Sequence, residues 1–253
     1  MTRPGFILTI DEGTTSTRVI AFDDDFRPVA QSQNPLTLAY PQDGWVEQSA
    51  SEIWDRTLDA LTDVVNQIGG VEKVAAIAVS NQRETTVVWN RHTGEPIAPA
   101  IVWQDRRTHA DCEALTAAGH DSRIEAITGL RPDAYFSGTK LAWVLDNVAG
   151  ARAEAEAGEL AAGTIDSFLI WKLTGGRVHA TDVTNASRTL LYGLDQTEDS
   201  GWSPWMAQLL DVPLSILPDV RANNAGFGET DPGLLGRSIP IAAAIGDQQA
   251  ALV

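Results

Sequence analysis

The sequence predicts one α/β domain, and three observations lead to this fold class. The chain opens with three short apolar runs separated by polar turns, a pattern typical of strands. A long amphipathic helical pattern follows, and apolar runs of strand length then alternate with further helical patterns. With 253 residues the chain is long enough to bury a core without disulfides or metals. We therefore expect strands and helices to share a single core.

The first three strands are predicted at residues 6–10, at 19–22 and near 29–33. Residues 11–18 and the acidic cluster 23–25 separate them and contain the Gly, Thr and Asp residues that favour turns. Strands joined by such short polar segments pair with their chain neighbours. The opening of the chain is therefore predicted to be an antiparallel meander.

The first helix is predicted from a start signal, a periodic face and a stop signal. Ser49 and Glu52 have the spacing of a capping box. Apolar residues then recur at helical spacing from Ile53 to Ile68, and two glycines follow at positions 69 and 70. This pattern predicts an amphipathic helix that buries one face.

The rest of the chain continues the alternation of strands and helices. Further strands are predicted at 74–79, 85–89, 101–103 and 239–245. Further helices are predicted at 109–118, 138–149, 165–173 and 203–210, and a short one from Asp247. Ser137 is the candidate cap of the helix at 138–149, and residues 154–159 are expected to be a solvated stretch rich in Ala and Glu.

Composition narrows the classes of partner. The 18 Lys and Arg residues face 34 Asp and Glu residues, so the formal net charge is −16. Nucleic acids and anionic membranes bind positive surfaces, so we expect neither as a partner. The single cysteine, Cys112, excludes an internal disulfide, and no apolar run approaches the roughly 20 residues that span a bilayer. We therefore expect a cytoplasmic protein.

The segment between the first two strands, residues 11–16 (DEGTTS), is the first candidate for chemistry. Gly13 permits close approach of the backbone, and the three hydroxyls with neighbouring N–H groups suit phosphate oxygens. Asp11, at the end of its strand, is a candidate ligand for Mg²⁺. The alternative is an ordinary hairpin turn. The chain contains neither a P-loop nor a dinucleotide-binding glycine motif.

Residues 81–85 (NQRET) follow a predicted buried strand, where ligands of α/β proteins commonly bind. Arg83 and Glu84 together offer donors and acceptors, a combination that suits a polyol whose hydroxyls donate and accept. The alternative is a surface ion pair, which contributes only about 0–1 kcal/mol to stability. The residues of this segment taken alone favour the ion pair.

Two further candidates follow later strands. Trp103 is a candidate apolar wall for the carbon face of a substrate, although a tryptophan in the core is the commoner case. Asp247 lies where the last strand turns into a helix, beside Gly246. Its carboxylate is a candidate to orient a hydroxyl nucleophile and accept its proton, and the alternative is that Asp247 caps the helix.

Taken together and in this order, several segments resemble the FGGY family of carbohydrate kinases, and within it the branch that phosphorylates glycerol. They are residues 11–16 (DEGTTS), 81–85 (NQRET), 103–107 (WQDRR), 135–140 (YFSGTK), 181–189 (TDVTNASRT) and 246–251 (GDQQAA). The resemblance implies an actin-like ATPase, or ribonuclease-H-like, fold with a mixed central sheet and flanking helices. It also implies transfer of a phosphoryl group from ATP to glycerol, with Mg²⁺.

The resemblance also implies the roles of individual residues. Asp247 would be the catalytic carboxylate. The polyol would be held by Arg83, Glu84, Tyr135 and Gln248, with Trp103 packed on its carbon backbone. The phosphates of the nucleotide would be held by Thr14, Thr15, Ser16 and Arg18, with Asp11 near Mg²⁺.

Two departures from the family pattern carry further expectations. Position 12 is Glu where members of the glycerol branch usually have Gln, which predicts an added negative charge beside the phosphate loop. The family has a second domain that supplies the adenosine pocket, so residues 1–253 are expected to be the polyol-binding domain without that C-terminal domain. The resemblance also implies that a full-length form can be a homo-oligomer, since members of the family often are. The alternatives are a kinase of another polyol or ketose, such as erythritol or xylulose, and an inactive polyol-binding module.

Overall fold

The computed structural model describes residues 5–194 and 201–252, which form an α/β domain. The strands are β1 (Phe6–Glu12), β2 (Ser16–Phe22), β3 (Pro28–Pro35), β4 (Glu47–Gln48), β5 (Val74–Asn81), β6 (Thr86–Asn90), β7 (Ala100–Ile101), β8 (Leu160–Thr164), β9 (Ala180–Asp182), β10 (Tyr192–Gly193), β11 (Gly201–Trp202), β12 (Asp219–Arg221) and β13 (Ile241–Gly246). The helices are α1 (Ala50–Gln67), α2 (His109–Ala117), α3 (Asp121–Thr128), α4 (Ser137–Asn147), α5 (Ala151–Glu156), α6 (Ile165–Leu173), α7 (Val183–Ala186), α8 (Pro204–Leu209), α9 (Pro232–Leu235) and α10 (Asp247–Ala250).

The central sheet has five strands in the order β13-β5-β1-β2-β3. The strands β1, β2 and β3 are antiparallel neighbours, which confirms the predicted meander. On the other side, β1 pairs in parallel with β5, and β5 in parallel with β13. The sheet is therefore mixed, as the family resemblance implies. A smaller sheet has the order β4-β7-β6-β8.

The helix α1 confirms the predicted start and face, with one difference at its cap. Ser49 Oγ accepts the N–H of Glu52 at 3.1 Å, so Ser49 is the N-cap. The Glu52 carboxylate instead accepts from the backbone N–H and the hydroxyl of Thr37, each at 3.2 Å, and ties the helix to the preceding loop. Ile53, Leu61 and other apolar residues of the helix are buried against the central sheet.

Two hydrophobic clusters build the core. The first lies around the central sheet, with α1 and α6 packed on it. The second lies on the smaller sheet beneath α3, α4, α5 and α8. Trp89 of β6 is fully buried in the first cluster, and its neighbour Val88 faces the second. The strand β6 therefore joins the two halves of the core.

Some local predictions are wrong. Ser137 is the first residue of α4 rather than its cap, because Phe136 holds the cap position. Residues 154–159 are not simply a solvated stretch, since α5 buries Ala151 and Ala155. The sequence patterns also do not predict α3 or β8, which are short and carry few strong signals. Within the described ranges, no helix is both long and apolar enough to cross a bilayer.

Candidate active site

The candidate site lies where three parallel strands end side by side. In the strand registers, Glu12 of β1 lies opposite Asn81 of β5, and Asn81 lies opposite Gly246 of β13. The segments that follow these strands therefore emerge at one edge of the sheet. This edge is where ligands of open α/β sheets bind. Pairing over long sequence distances thus brings the segments 11–16, 81–85 and 246–251 together.

A cavity of about 210 Å³ opens at this edge. Its lining contains all six residues predicted for the substrate side, together with two more: Thr14, Gln82, Arg83, Glu84, Trp103, Tyr135, Asp247 and Gln248. A larger cleft of about 590 Å³ lies between residues 37–52 and 96–99. It includes none of the eight residues that line the smaller cavity, so the smaller cavity is the candidate site.

Arg83 and Glu84 are not a surface ion pair, so that interpretation is wrong. Their exposed fractions are 5% and 2%. Arg83 Nη2 donates to Gln248 Oε1 at 2.6 Å, and Glu84 Oε1 accepts from Arg188 Nε at 2.7 Å. Arg83 Nε is buried without a partner among the described residues, which leaves one donor available to a ligand oxygen.

Glu84 is held in an unusual state. Its backbone has a φ of 64°, in the left-handed region that non-glycine residues seldom adopt and that is often found at functional sites. Burial raises the pKa of the Glu84 carboxyl, and the hydrogen bond from Arg188 opposes that effect. Arg188 lies in segment 181–189, which the sequence singled out without giving this residue a role. Its pairing with Glu84 becomes visible only in the fold.

Two aromatic side chains form one wall of the cavity. The rings of Trp103 and Tyr135 meet edge to face, with centroids 5.6 Å apart. Trp103 Nε1 donates to Thr14 Oγ1 at 2.9 Å, which fixes the plane of the indole. Trp103 therefore lines the cavity, as predicted, and is not sealed in the core.

Gln82 organises the floor of the site, and the sequence analysis assigned it no role. Its Oε1 accepts the hydroxyls of Thr14 and Thr85, each at 3.1 Å. Its Nε2 donates to Gln48 Oε1 at 2.9 Å and to the carbonyl of Gly13 at 3.2 Å. The position of Gln82 beside Arg83 is the sequence signal that could have identified it. The Thr14 hydroxyl donates to Gln82 and accepts from Trp103 within the site.

Asp247 is the first residue of α10, and Gly246 holds the cap position, so the interpretation of Asp247 as the cap is wrong. Asp247 Oδ1 accepts the backbone N–H of its neighbour Gln248 at 2.7 Å. Gly246 N donates to Thr184 Oγ1 at 2.8 Å, and this bond anchors the end of β13. The carboxylate therefore sits on a fixed turn at the cavity.

A buried polar network holds the strand ends in place. The fully buried carboxylate of Asp182 accepts from Thr184, from Asn185 and, at 2.7 Å, from Asn223 Nδ2. Asn223 also bonds the backbone of β13 at Ala244. Asn185 and Asn81, at the end of β5, exchange amide hydrogen bonds of 2.9 Å. The ends of β5 and β13 are thus tied through Asp182.

The predicted phosphate loop is a hairpin turn beside the cavity. Gly13 N donates to the carbonyl of Ser16 at 3.0 Å, and Thr15 at the tip is exposed. Arg18 Nη2 and Asp11 Oδ2 form a partly exposed ion pair of 2.6 Å. Thr14 reaches the cavity, whereas Asp11, Thr15, Ser16 and Arg18 are not in its lining.

The residues around the hairpin between β1 and β2 fit only one way of binding Mg²⁺. The part of the chain that the structure describes contains no group of three His, Cys, Asp or Glu side chains placed to hold a metal. Mg²⁺ commonly binds through one or two carboxylates, several waters and substrate phosphates. A single accessible carboxylate such as Asp11 fits that mode, in which the metal arrives with the nucleotide.

Burial opposes the predicted negative charge of Glu12 beside the phosphate loop. The Glu12 side chain is fully buried, and one of its carboxylate oxygens accepts the hydroxyl of Thr17. Burial raises the pKa of the Glu12 carboxyl well above its usual range. The burial of position 12 therefore favours a neutral side chain over a charged one.

We expect Glu12→Gln to stabilise the protein increasingly as pH rises. A carboxyl whose pKa is raised on folding contributes stability below its unfolded pKa near 4.5 and loses it as pH rises through the folded value. The free energy of unfolding of Glu12→Gln minus that of the wild type should therefore grow by about 1.4 kcal/mol for each pH unit in that window. Urea unfolding between pH 4.5 and 8 measures it. Glu156→Gln, at an exposed position of α5, is the matched control, and a difference that stays constant with pH would contradict the assignment.

The family comparison, the related sequences and the solved structures all match this chain to carbohydrate kinases. Residues 6–253 match the family described as the FGGY family of carbohydrate kinases, N-terminal domain. The glycerol kinase of Alcanivorax borkumensis is 53% identical over 249 residues, which is 98% of this chain and 50% of that protein. The crystal structure of Plasmodium falciparum glycerol kinase with ADP superposes with a TM-score of 0.92 at 31% identity and covers 98% of this chain and 49% of its own.

A more distant structure shares the fold. The xylulose kinase of Rhodospirillum rubrum superposes with a TM-score of 0.86 at 22% identity, over 98% of this chain and 50% of its own. The architecture of the domain is therefore the one that these sugar kinases share. This chain spans about half the length of the curated relatives it matches.

Proposed function

The chain belongs to the FGGY family of carbohydrate kinases, and on this basis we propose that its protein transfers the γ-phosphoryl group of ATP to a terminal hydroxyl of glycerol. One observation carries the choice of acceptor. The cavity gathers Arg83, Glu84, Tyr135, Asp247 and Gln248 around Trp103 in about 210 Å³. Sites for drug-sized ligands measure roughly 300–1,000 Å³, so this volume supports a small acceptor.

The polar lining suits the hydroxyls of a short polyol. Arg83 brings a buried Nε donor without a partner among the described residues, and Glu84 brings a buried carboxyl acceptor. Gln248 and the Tyr135 hydroxyl add groups that donate and accept. The Trp103 face packs on the carbon backbone. A site that pairs each hydroxyl discriminates strongly against analogues that lack one.

Asp247 is the proposed catalytic residue. Its carboxylate would accept a hydrogen bond from the attacking hydroxyl and take the proton as the bond from oxygen to the γ-phosphorus forms and the bond to the leaving ADP oxygen breaks. Phosphoryl transfer depends mainly on positioning and charge stabilisation, so an orienting carboxylate is sufficient. The anchored turn at Gly246 supplies that positioning.

The hairpin between β1 and β2 is the proposed phosphate side. Thr14, Thr15, Ser16 and Arg18 would hold the phosphates of ATP, and Asp11 would hold Mg²⁺ directly or through water. When bound, Mg²⁺ neutralises charge on the β- and γ-phosphates. Arg18 pairs with Asp11 at 2.6 Å, so the side chains that would hold phosphate and Mg²⁺ lie next to each other.

The proposal includes a second domain. The chain spans about half the length of its relatives, so residues 1–253 are proposed to be the polyol-binding and phosphate-loop half. A C-terminal domain would supply the adenosine pocket and close the cleft, which excludes water from the competing hydrolysis of ATP. The full-length protein is further proposed to be a cytoplasmic homo-oligomer.

An acceptor panel tests the proposed function. The full-length protein should phosphorylate glycerol with ATP and Mg²⁺ at a higher kcat/KM than erythritol or xylulose, as measured by coupled release of ADP. Turnover of the longer acceptors with glycerol unreactive would overturn the choice of acceptor. Calorimetry of glycerol with the 253-residue chain tests the non-enzymatic alternative. Weak binding without turnover is expected there, because the other domain would supply the adenosine pocket. Multiple turnovers by the 253-residue chain, measured by release of ADP, would overturn the non-enzymatic alternative.

A further inference from the structure

We propose that Lys140 is a positioning residue that sets the geometry of the acceptor pocket by clamping the backbone of Glu84 to the backbone of Tyr135. The inference rests on the proposed function, since it assigns the support of two proposed acceptor ligands. Lys140 lies on α4 and does not line the cavity itself. It therefore acts through the two residues it holds.

The contacts of Lys140 are specific. Its Nζ donates to the carbonyl of Tyr135 at 2.7 Å and to the carbonyl of Glu84 at 3.2 Å. One turn earlier on the same helix face, Ser137 Oγ donates to the same Glu84 carbonyl at 3.2 Å. Glu84 follows β5 and Tyr135 precedes α4, so Lys140 joins two segments of the cavity lining that lie 51 positions apart in the sequence.

Lys140 is buried, which is unusual for a lysine. Its side chain is 0% exposed, and lysine is almost never fully buried unless it is paired. Burial lowers the pKa of Lys140 to about 7, against the opposing charges of Glu84 and Asp105. A neutral amine still carries two N–H donors, which match the two carbonyls. The clamp therefore persists whether or not the amine is charged.

The strained peptide at Glu84 explains what the clamp does. A left-handed φ of 64° persists in a non-glycine residue only when its surroundings hold it. The Glu84 carbonyl accepts from Lys140 and Ser137, and also from Thr86 Oγ1 at 3.1 Å. These donors keep the peptide in the conformation from which the Glu84 carboxyl lines the cavity. Asp247 lies on α10, outside the clamp, so we expect Lys140 to affect binding of the acceptor rather than the step of phosphoryl transfer.

Lys140→Met in the full-length protein tests the inference, because Met removes the donor at similar volume. The KM for glycerol should rise roughly 10- to 100-fold, as expected for the loss of two hydrogen bonds. The KM for ATP should stay near the wild-type value, and kcat should fall far less than kcat/KM. Ser137→Ala should shift the KM for glycerol in the same direction by less, and it decides the question if Lys140→Met does not fold.

Thr139→Val is the matched control. Thr139 is the neighbour of Lys140 on α4, is 2% exposed, and pairs its hydroxyl with Thr108 at 2.8 Å away from the cavity. It should lower the melting temperature without raising the KM for glycerol. An unchanged KM in Lys140→Met and Ser137→Ala, or an equal rise in Thr139→Val, would overturn the inference. A wild type that leaves glycerol unphosphorylated overturns the proposed function instead, and the acceptor it does phosphorylate then serves for the same comparison.

Discussion

Asp247→Asn should lower kcat for glycerol phosphorylation by about 10²- to 10⁴-fold, the range contributed by a positioned acid or base. The amide keeps the shape of the side chain and still accepts the N–H of Gln248 through its oxygen, a bond of 2.7 Å in the wild type. It cannot take the proton of the attacking hydroxyl. The turn at Gly246 and the other seven residues of the cavity lining are unchanged, so glycerol binding should be nearly preserved.

The measurement combines steady-state kinetics of the full-length variant with calorimetric titration of glycerol. Asp219→Asn is the matched control, because the Asp219 side chain is 80% exposed and absent from the cavity lining. It should leave both quantities unchanged. Near-normal kcat in Asp247→Asn would remove Asp247 from the mechanism, and another carboxyl would have to be sought.

Gly246→Ala should lower kcat/KM for glycerol roughly a hundredfold, because a displacement of about 1 Å at a reacting group has an effect of that size. A Cβ at position 246 would lie 2.3 Å from Arg83 Cδ and 2.8 Å from Arg83 Cγ. Arg83 is buried and bonded to Gln248, so it has little room to yield. Either Arg83 leaves its place in the cavity, or the turn that carries Asp247 moves.

A double-mutant cycle separates this clash from a general loss of stability. In an Arg83→Ala background the clashing atoms are gone, so adding Gly246→Ala should change kcat/KM and the melting temperature little further. Gly233→Ala in the short helix α9 is a control, because its Cβ would meet only a carboxylate oxygen of the partly exposed Asp231, at 3.0 Å. Full activity of Gly246→Ala would show that the site tolerates the displacement of Arg83.

Much of the fold could be predicted because its signals are local. Polar turns between short strands predicted the meander, and the pattern after Ser49 predicted α1. Elements with weak local signals were not predicted. The strand β8 (LAAGT) is built mostly of small residues, and the helices α3 and α5 are short. Their formation depends on burial against neighbours, which no window of sequence contains.

The site, like the fold, could be predicted only in part from the sequence. Segments 81–85 and 246–251 contain the types of residue that the site would need. The structure places residues from both segments in the lining of one cavity. The burial of these residues and their hydrogen-bond partners could not be predicted from the sequence. The segment alone favoured a surface ion pair for Arg83 and Glu84, yet both are buried and each has a different partner. The roles of Gln82 and Lys140 likewise depend on segments distant in the sequence.

By itself, the sequence determined the local elements with strong patterns, the absence of an internal disulfide and the chemical groups available at the strand ends. Those properties follow from side-chain periodicity, from counting and from residue type. Only the tertiary structure decided that β1, β5 and β13 end in register, that Glu12 is buried with Thr17, and that Lys140 donates to the carbonyls of Glu84 and Tyr135. Pairing of distant strands, and the pKa of a carboxyl or amine, depend on the neighbours that surround a group in space.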